Sequence, residues 1–163
     1  MEYTSLYRRY RPRRFSEIRG QEHVVAALSN AVREDRVFHA YLLSGPRGTG
    51  KTTLARILAK VLNCVNPVDG EPCCECGSCH SVESGTSFDL HELDAASNNK
   101  VDDMRELLGK VALGTPGRTK VYLLDEVHML TSGAENALLK TLEEPPSHVV
   151  FVMATTEPHK VVE

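Results

Sequence analysis

The chain has 163 residues, of which 41% are hydrophobic and 25% are charged, a composition typical of one globular domain and not of a disordered or fibrous protein. Its formal net charge of −3 gives no general attraction to nucleic acid or anionic membranes, so any DNA contact needs a local cluster of basic residues. No apolar stretch approaches the roughly 20 residues of a membrane span, and the first residues lack the apolar core of a secretory signal. We therefore expect a cytoplasmic protein with no membrane partner.

The first 20 residues are predicted to form an aromatic and basic arm that lies over the domain. Five arginines between residues 8 and 14 are compatible with an organelle transit peptide, but Pro12 and the acidic Glu2 and Glu17 favour a folded segment. An amphipathic helix running to about Glu34 is expected next. Its apolar face consists of Val24, Val25, Leu28, Ala31 and Val32.

The motif that organises the chain is G-x-x-x-x-G-K-T at residues 45–52. An apolar run at 40–44 predicts a strand before it, and apolar residues at helical spacing over 54–62 predict a helix after it. In such a loop the glycines let backbone N–H groups turn toward phosphate, the lysine reaches the β- and γ-phosphates, and the next hydroxyl ligates Mg²⁺. This context favours a nucleotide site over a chance glycine-rich turn. The predicted nucleotide-binding residues here are Gly45, Pro46, Arg47, Gly48, Thr49, Gly50, Lys51, Thr52 and Thr53.

Strands and helices alternate through the rest of the chain. The predicted elements are strands at 88–93, 120–125 and 149–154, a helix at 101–111, and a helix that Ser132 caps and the prolines at 145 and 146 end. Continuously apolar strands that alternate with helices predict a parallel sheet covered on both faces. We expect residues 1–163 to form one α/β domain that is truncated at its C-terminus, because such sheets normally continue past a fourth strand.

Acidic and hydroxyl residues follow two of these strands at the carboxyl end, where an open α/β sheet binds its ligands. Asp125 is placed to hold the Mg²⁺ of a nucleotide, and Glu126 to orient or deprotonate the water that attacks the γ-phosphate. Thr155 and Thr156 end the next strand, so a hydroxyl there could polarise the γ-phosphate or the water. An acidic pair after a strand is commonplace, but its order and distance after the phosphate loop favour a Walker B motif.

One competing motif, Asn99-Lys100-Val101-Asp102, fits the guanine-reading N-K-x-D signature of GTPases. It precedes the predicted metal-binding strand, whereas a GTPase carries it after that strand. The chain also has no D-x-x-G motif. Guanine specificity is therefore disfavoured.

Cysteines cluster in one Pro- and Gly-rich insertion, expected over 64–80, with four of the five in a C-x8-C-x2-C-x2-C pattern. Four thiolates close a tetrahedral Zn²⁺ site and leave no position for water, so the pattern predicts a structural zinc. Cys74 is the expected spare thiol, and His80 could replace one sulfur. Redox-active thiols or an iron–sulfur cluster are the alternatives. The predicted zinc ligands are Cys64, Cys73, Cys76 and Cys79.

Together these residues resemble the ATPase domains of bacterial clamp-loader subunits, the tau/gamma family of DNA polymerase III within the AAA+ class. The resemblance covers essentially the whole chain, and the four-cysteine insertion beside Asp125-Glu126-Val127-His128-Met129-Leu130 is its most specific feature. The other matching segments are 10–12, Phe15, 20–23, the phosphate loop, 92–97 and 138–146.

The resemblance implies an AAA+ (RecA-like) fold, ATP binding by Lys51 and Thr52, metal binding and hydrolysis by Asp125 and Glu126, and a sensor-1 role for Thr156. It also implies assembly with other loader subunits into a five-membered spiral that opens a sliding clamp and loads it at primer–template junctions. The resemblance further implies an adenine pocket that involves Tyr10, Arg11, Pro12 and Ile18.

In that family the inner helices follow duplex DNA by its phosphates, which makes Lys100, Arg105 and Lys140 candidate DNA contacts. A solvated helical face is the alternative. The neighbouring Asn98 and Asn99 are neutral where basic or hydroxyl residues are expected, which weakens the DNA interpretation.

Two further functions stay open, a catalytically silent scaffold subunit of the same loader and another AAA+ ATPase of DNA repair or remodelling. Silent members lack the phosphate-loop lysine or the acidic pair, and both are present here. The four-cysteine insertion would be unexpected in the repair or remodelling class.

The family's trans-acting arginine and lid are expected beyond Glu163, so residues 1–163 alone are expected to bind nucleotide weakly and to hydrolyse almost none.

Overall fold

A computed structural model describes residues 11–46, 50–111 and 118–160, and the structural statements that follow concern those residues. None of the helices in these ranges has the length and hydropathy needed to cross a bilayer. The helices are α1 (Glu22–Arg33), α2 (Lys51–Asn63), α3 (Gly77–Ser84), α4 (Val101–Val111) and α5 (Ser132–Glu143), and the strands are β1 (Ala40–Ser44), β2 (Leu90–Asp94), β3 (Lys120–Asp125) and β4 (Val149–Thr155).

The four strands form one parallel sheet in the order β1-β4-β3-β2. Its register aligns the ends of the strands, because Ser44 lies opposite Thr155 and Asp94 lies opposite Asp125. We call this side of the sheet, defined by those four residues, the carboxyl edge.

Alternate residues of the central strand β3 belong to two different hydrophobic cores. Val121 and Leu123 pack in the core that contains the buried apolar residues of α1 and α2. Tyr122 and Leu124 pack in the core that contains those of α4 and α5. The predicted α/β fold with a parallel sheet and helices is thus confirmed, and β1 and β3 have the predicted bounds.

Three strand boundaries differ from the prediction, since β2 also ends one residue later than predicted, at Asp94. β2 begins at Leu90 and not at residue 88, because Phe88 is 83% exposed and lies outside the sheet. Asp89 just before the strand accepts the Val121 N–H with its carbonyl and the Arg118 guanidinium with its carboxylate. β4 continues one residue past the predicted end, to Thr155. The apolar residue Phe88 therefore led the sequence analysis to start β2 two residues too early.

The cap of α5 was predicted one residue too late. Thr131 is the N-cap, since its backbone is extended and its Oγ1 accepts a hydrogen bond from the Ala134 N–H at 3.3 Å. Ser132 is the first helical residue. Both residues carry a hydroxyl, so only the backbone geometry distinguishes them.

The cysteine insertion contains a helix that the sequence did not predict. α3 begins at Gly77 and ends before Gly85, whose φ of +79° suits glycine at a helix C-terminus. Only Cys79 and Val82 are buried in this helix, so it has no apolar stripe from which to predict it. The expected boundary at residue 80 falls inside α3.

The part of the N-terminal arm within the described residues is attached to both the core and the insertion. Phe15 is buried in the core of α1 and α2. The Glu71 carboxylate accepts hydrogen bonds from the backbone N–H groups of Phe15 and Ser16, at 2.8 and 3.2 Å. The insertion therefore fixes the path of the arm.

Candidate functional site

The phosphate loop starts at the carboxyl edge. The Gly45 N–H donates to the Thr155 carbonyl at 3.2 Å, which joins the loop to the end of β4. Gly50 has a φ of +86°, in the left-handed region that favours glycine, and α2 begins at the next residue without a side-chain cap. An uncapped helix N-terminus offers its N–H groups to an anion. The predicted Arg47, Gly48 and Thr49 lie outside the described residues.

The Lys51 ammonium is bound by its own loop. Its Nζ donates to the Gly45 carbonyl at 2.6 Å and to the Pro46 carbonyl at 3.1 Å. A phosphate oxygen is a stronger acceptor for an ammonium than a neutral carbonyl, because that hydrogen bond is assisted by charge on both partners. Thr52 and Thr53 follow in the first turn of α2 and are half-buried. These features fit the phosphates of a nucleotide.

The acidic pair occupies the end of β3 and the residue after it. Asp125 is the last residue of the strand, and its Oδ1 accepts a hydrogen bond from the Glu126 N–H at 2.9 Å. Glu126 has a φ of +56°, an uncommon backbone conformation for a residue other than glycine, asparagine or aspartate. Such residues are often found at functional sites, where the surrounding structure holds the strain.

The structure brings Glu126 and Thr156 together. The Thr156 hydroxyl donates to Oε2 of Glu126 at 3.3 Å. The preceding Thr155 is fully buried and points elsewhere, to the ring of His128. A predicted catalytic carboxylate and the predicted sensor hydroxyl therefore meet at the carboxyl edge.

His128 is the residue of this site that sequence reasoning missed. Its side chain is only 5% exposed, and its Nδ1 lies 2.8 Å from the Thr155 Oγ1. Its Nε2 lies 3.4 Å from Oε2 of Glu126 and 3.3 Å from Oε2 of Glu157. The sequence signals were its position two residues after the acidic pair and its place in the segment 125–130 that carries the family resemblance, and neither reveals these partners.

The predicted adenine-binding residues do not share one cavity among the described residues. Arg11 and Pro12 line a cavity of about 360 Å³ between the arm, α2 and α3. Ile18 lines a different cavity of about 580 Å³ against α1. Tyr10 lies outside the described residues. The adenine pocket therefore stays a prediction.

The four thiols predicted to bind metal converge. The Sγ atoms of Cys64, Cys73, Cys76 and Cys79 all lie within 4.8 Å of one another, and none forms a disulfide. A tetrahedral zinc with Zn–S bonds of about 2.3 Å needs sulfurs about 3.8 Å apart, so this donor set fits a structural zinc. His80 is exposed and does not belong to this group.

Backbone N–H groups surround these sulfurs and change their acidity. The N–H groups of Glu75 and Cys76 lower the pKa of Cys73. Burial raises the pKa of Cys76, but the N–H groups of Cys79 and Val65 and the neighbouring thiols outweigh it, and the pKa falls to about 6. Burial raises the pKa of both Cys64 and Cys79. Thiolate is the form that binds metal, so the N–H groups at Cys73 and Cys76 favour the ligating state, whereas burial of Cys64 and Cys79 opposes it.

Cys74 stands apart from the cluster and faces a buried lysine. The Lys60 side chain is 2% exposed, and its Nζ donates to the Cys74 sulfur at 3.3 Å, to the Glu83 carboxylate at 2.8 Å and to the Arg13 carbonyl at 2.7 Å. This one ammonium therefore joins α2 to the insertion and to the arm.

The three candidate DNA contacts are all exposed. Lys100 directly precedes α4, Arg105 lies on α4 and Lys140 lies on α5. Acidic groups accompany two of them, since Arg105 lies 4.0 Å from the Asp102 carboxylate and the Lys100 N–H donates to Asp103. Their role in DNA binding stays a prediction.

A family model described as "DNA polymerase III, delta subunit" matches residues 20–163. The chain belongs to this family. The matched range includes the phosphate loop, the cysteine insertion and the carboxyl edge.

Members of the polymerase III complex are also similar to the chain in sequence. The tau subunit of Bacillus subtilis (strain 168) is 55% identical over 163 residues, which cover 99% of this chain and 29% of the relative. The tau subunit of Escherichia coli (strain K12) is 53% identical over 162 residues, which cover 99% of this chain and 25% of the relative. The resemblance to tau/gamma subunits is confirmed, and the chain spans less than a third of the length of these two relatives.

A solved structure supports the same fold. The RuvB Holliday junction branch migration motor of Thermotoga maritima superposes with a TM-score of 0.62 at 26% identity. The superposition covers 94% of this chain and 44% of that chain. The likeness therefore extends over the sheet and both of its helical faces.

Proposed function

We propose that this chain binds and hydrolyses ATP as part of a clamp-loader subunit of bacterial DNA polymerase III. The observation that carries the proposal is the meeting of the phosphate loop, Glu126 and Thr156 at one edge of a parallel sheet. Membership of the polymerase III family and the similarity to tau subunits support the assignment to replication.

The residues have distinct roles in this proposal. Lys51 releases its loop carbonyls and binds the β- and γ-phosphates, while the N-terminal N–H groups of α2 bind the remaining phosphate oxygens. Thr52 and Asp125 hold Mg²⁺, which neutralises charge on the phosphates. Glu126 orients the attacking water and accepts its proton, and Thr156 acts as the sensor hydroxyl beside it.

The nucleotide state is coupled to larger partners in this proposal. The subunit works with other loader subunits in a five-membered assembly, opens a sliding clamp and places it at a primer–template junction. Lys100, Arg105 and Lys140 contact DNA through its phosphates, so DNA binding should weaken as salt rises. The four-cysteine cluster holds one structural Zn²⁺ and takes no part in hydrolysis.

The test compares Lys51→Ala and Glu126→Gln with the control Lys110→Ala, which changes an exposed lysine on α4. Lys51→Ala removes the ammonium that meets the phosphates, so ATP binding measured by calorimetry should be lost. In the natural full-length product that carries residues 1–163, Glu126→Gln should keep ATP binding and slow hydrolysis by about 10²- to 10⁴-fold, the usual contribution of a positioned base. Lys110→Ala should resemble the unaltered protein in both measurements.

Two results would contradict the proposal, the first as a whole and the second in the role given to Glu126. Unchanged ATP affinity in Lys51→Ala would remove the phosphate-loop assignment. An unchanged hydrolysis rate in Glu126→Gln would assign water activation to another residue.

A further inference from the structure

His128 connects the two strand ends on which the proposed hydrolysis depends. It follows β3 by three residues, yet its ring contacts Thr155 and Glu157 at and just beyond the end of β4. The same ring also reaches Glu126. A histidine that is 95% buried among polar groups needs partners for both of its ring nitrogens.

The partners determine where the ring carries its proton. Nε2 lies near two carboxylates, Glu126 and Glu157, and an unprotonated Nε2 would direct a lone pair at both. The Thr155 oxygen already accepts the Glu157 N–H at 3.0 Å, so its hydroxyl proton can point to Nδ1. The neutral tautomer with the proton on Nε2 therefore gives every polar atom of the ring a partner.

Two carboxylates share this single Nε2 proton, and one of them also lies beside a lysine ammonium. Oε2 of Glu157 also lies 3.1 Å from the Lys160 ammonium, and this hydrogen bond lowers the pKa of Glu157. Glu157 thus has a positive partner of its own. The side-chain partners of Glu126 among the described residues are the Thr156 hydroxyl and the His128 ring.

We propose that His128 is a positioning residue that orients Glu126 for water activation. The inference rests on the ATPase function proposed above. Both described side-chain contacts of Glu126 fall on Oε2, at 3.3 Å from Thr156 and 3.4 Å from His128. With Oε2 held on two sides, Oε1 is the oxygen that faces the attacking water. His128 itself touches neither nucleotide nor water in this arrangement.

Two substitutions separate the two ends of the ring. His128→Gln places an amide N–H near the position of Nε2 and keeps a donor for Glu126. His128→Asn places its amide near the position of Nδ1 and keeps a partner for Thr155, but its side chain is too short to reach Glu126. Both replace the ring by a smaller neutral amide. His128→Asn leaves one methylene more of empty volume than His128→Gln, so the melting temperature of each variant is measured beside its kcat.

The measurement is steady-state ATP hydrolysis by the natural full-length product that carries residues 1–163, with any partner subunits present. His128→Asn should lower kcat by about 10- to 100-fold without raising KM, since misplacing a reacting group by about 1 Å can cost 10²-fold. His128→Gln should retain most of the rate. In a Glu126→Gln background, His128→Asn should cause no further loss, because the carboxylate through which it acts is gone.

Three outcomes would overturn this inference while leaving the proposed function intact. They are an unchanged kcat in His128→Asn, equal losses of kcat and of melting temperature in both variants, or an undiminished effect of His128→Asn in the Glu126→Gln background. The second outcome would show that the ring only packs. If the unaltered protein hydrolyses no ATP, the proposed function fails and this inference fails with it. If Glu126→Gln is fully active, ATP hydrolysis stands but Glu126 does not activate the water, and this inference alone fails.

Discussion

The cysteine cluster and the carboxyl edge of the sheet are assembled in opposite ways. The cluster takes its four thiols from one short segment, 64–79, and the backbone of that segment supplies N–H···S hydrogen bonds. At the carboxyl edge, Gly45, Glu126 and Thr156 meet because each directly follows a strand, and these three strands are distant in sequence. Spacing alone can specify the first site, whereas the second exists only when the strand order is correct.

The two sites also differ in how ready they are for a ligand. The thiols already converge within 4.8 Å. At the carboxyl edge the key cation is turned toward its own loop, because Lys51 is bound by the Gly45 and Pro46 carbonyls. We therefore expect metal binding to complete a nearly formed centre, and nucleotide binding to require a local rearrangement.

The largest expected effect tests whether the cluster is a metal centre. Cys76→Ser removes one of the four converging sulfurs, and Cys74→Ser is its matched control, two residues earlier and outside the cluster. The unaltered protein and Cys74→Ser should contain about one zinc per chain, and Cys76→Ser should contain little or none. Elemental analysis of unstripped protein measures this.

The same variants should differ in the stability of the insertion, because metal-binding free energy becomes folding free energy in such small modules. Limited proteolysis should cut the insertion of Cys76→Ser faster than that of Cys74→Ser. If the unaltered protein contained no zinc, or if Cys76→Ser kept its full zinc content, the cysteine cluster would not be a preformed four-thiolate metal centre.

An intermediate effect tests how firmly the insertion is joined to the rest of the domain. Glu83→Ala removes the carboxylate 2.8 Å from the buried Lys60 ammonium and leaves that charge without its counter-ion. We expect a loss of about 2 kcal/mol in the free energy of unfolding, measured by urea denaturation. The control Glu106→Ala removes a carboxylate 3.7 Å from the exposed Lys110 and should cost at most about 0.5 kcal/mol.

Equal small losses in both variants would show that Lys60 does not depend on Glu83. The insertion would then be less tightly joined to α2 and the arm than its contacts indicate.

Local patterns predicted more of the fold than of the side-chain contacts. The continuous apolar runs of β1 and β3 gave correct bounds. β3 is buried on both faces and leaves a clear signal, whereas β1 is an edge strand with Leu42 48% exposed and was recognised from its apolar residues alone. Helix α3 left no such signal because it buries only two side chains. The start of β2 was wrong because Phe88, although apolar, is 83% exposed and lies outside the sheet.

In the candidate site too, the positions of residues were predicted better than their side-chain contacts. Strand-end positions predicted that Thr156 would lie near the acidic pair, because carboxyl ends of neighbouring parallel strands meet at one edge. The contacts of His128 with Thr155 and Glu157 depend on the turn that begins at Glu126. Glu126 has a left-handed backbone conformation that no sequence pattern predicted. The bond from Lys51 to its own loop likewise depends on loop conformation.

The smallest expected effect concerns the helix that follows the carboxyl edge, where the predicted cap and the observed cap differ by one residue. Thr131→Ala removes the Oγ1 that accepts the Ala134 N–H, so the free energy of unfolding should fall by about 1 kcal/mol. Ser132→Ala, the matched control, changes an exposed residue inside the helix and should have an effect within about 0.5 kcal/mol. Urea denaturation of both variants resolves this difference, and the backbone bond from the Thr131 N–H to the Asn99 carbonyl is available in each. A larger loss in Ser132→Ala than in Thr131→Ala would restore the cap predicted from the sequence and shift the start of α5 by one residue.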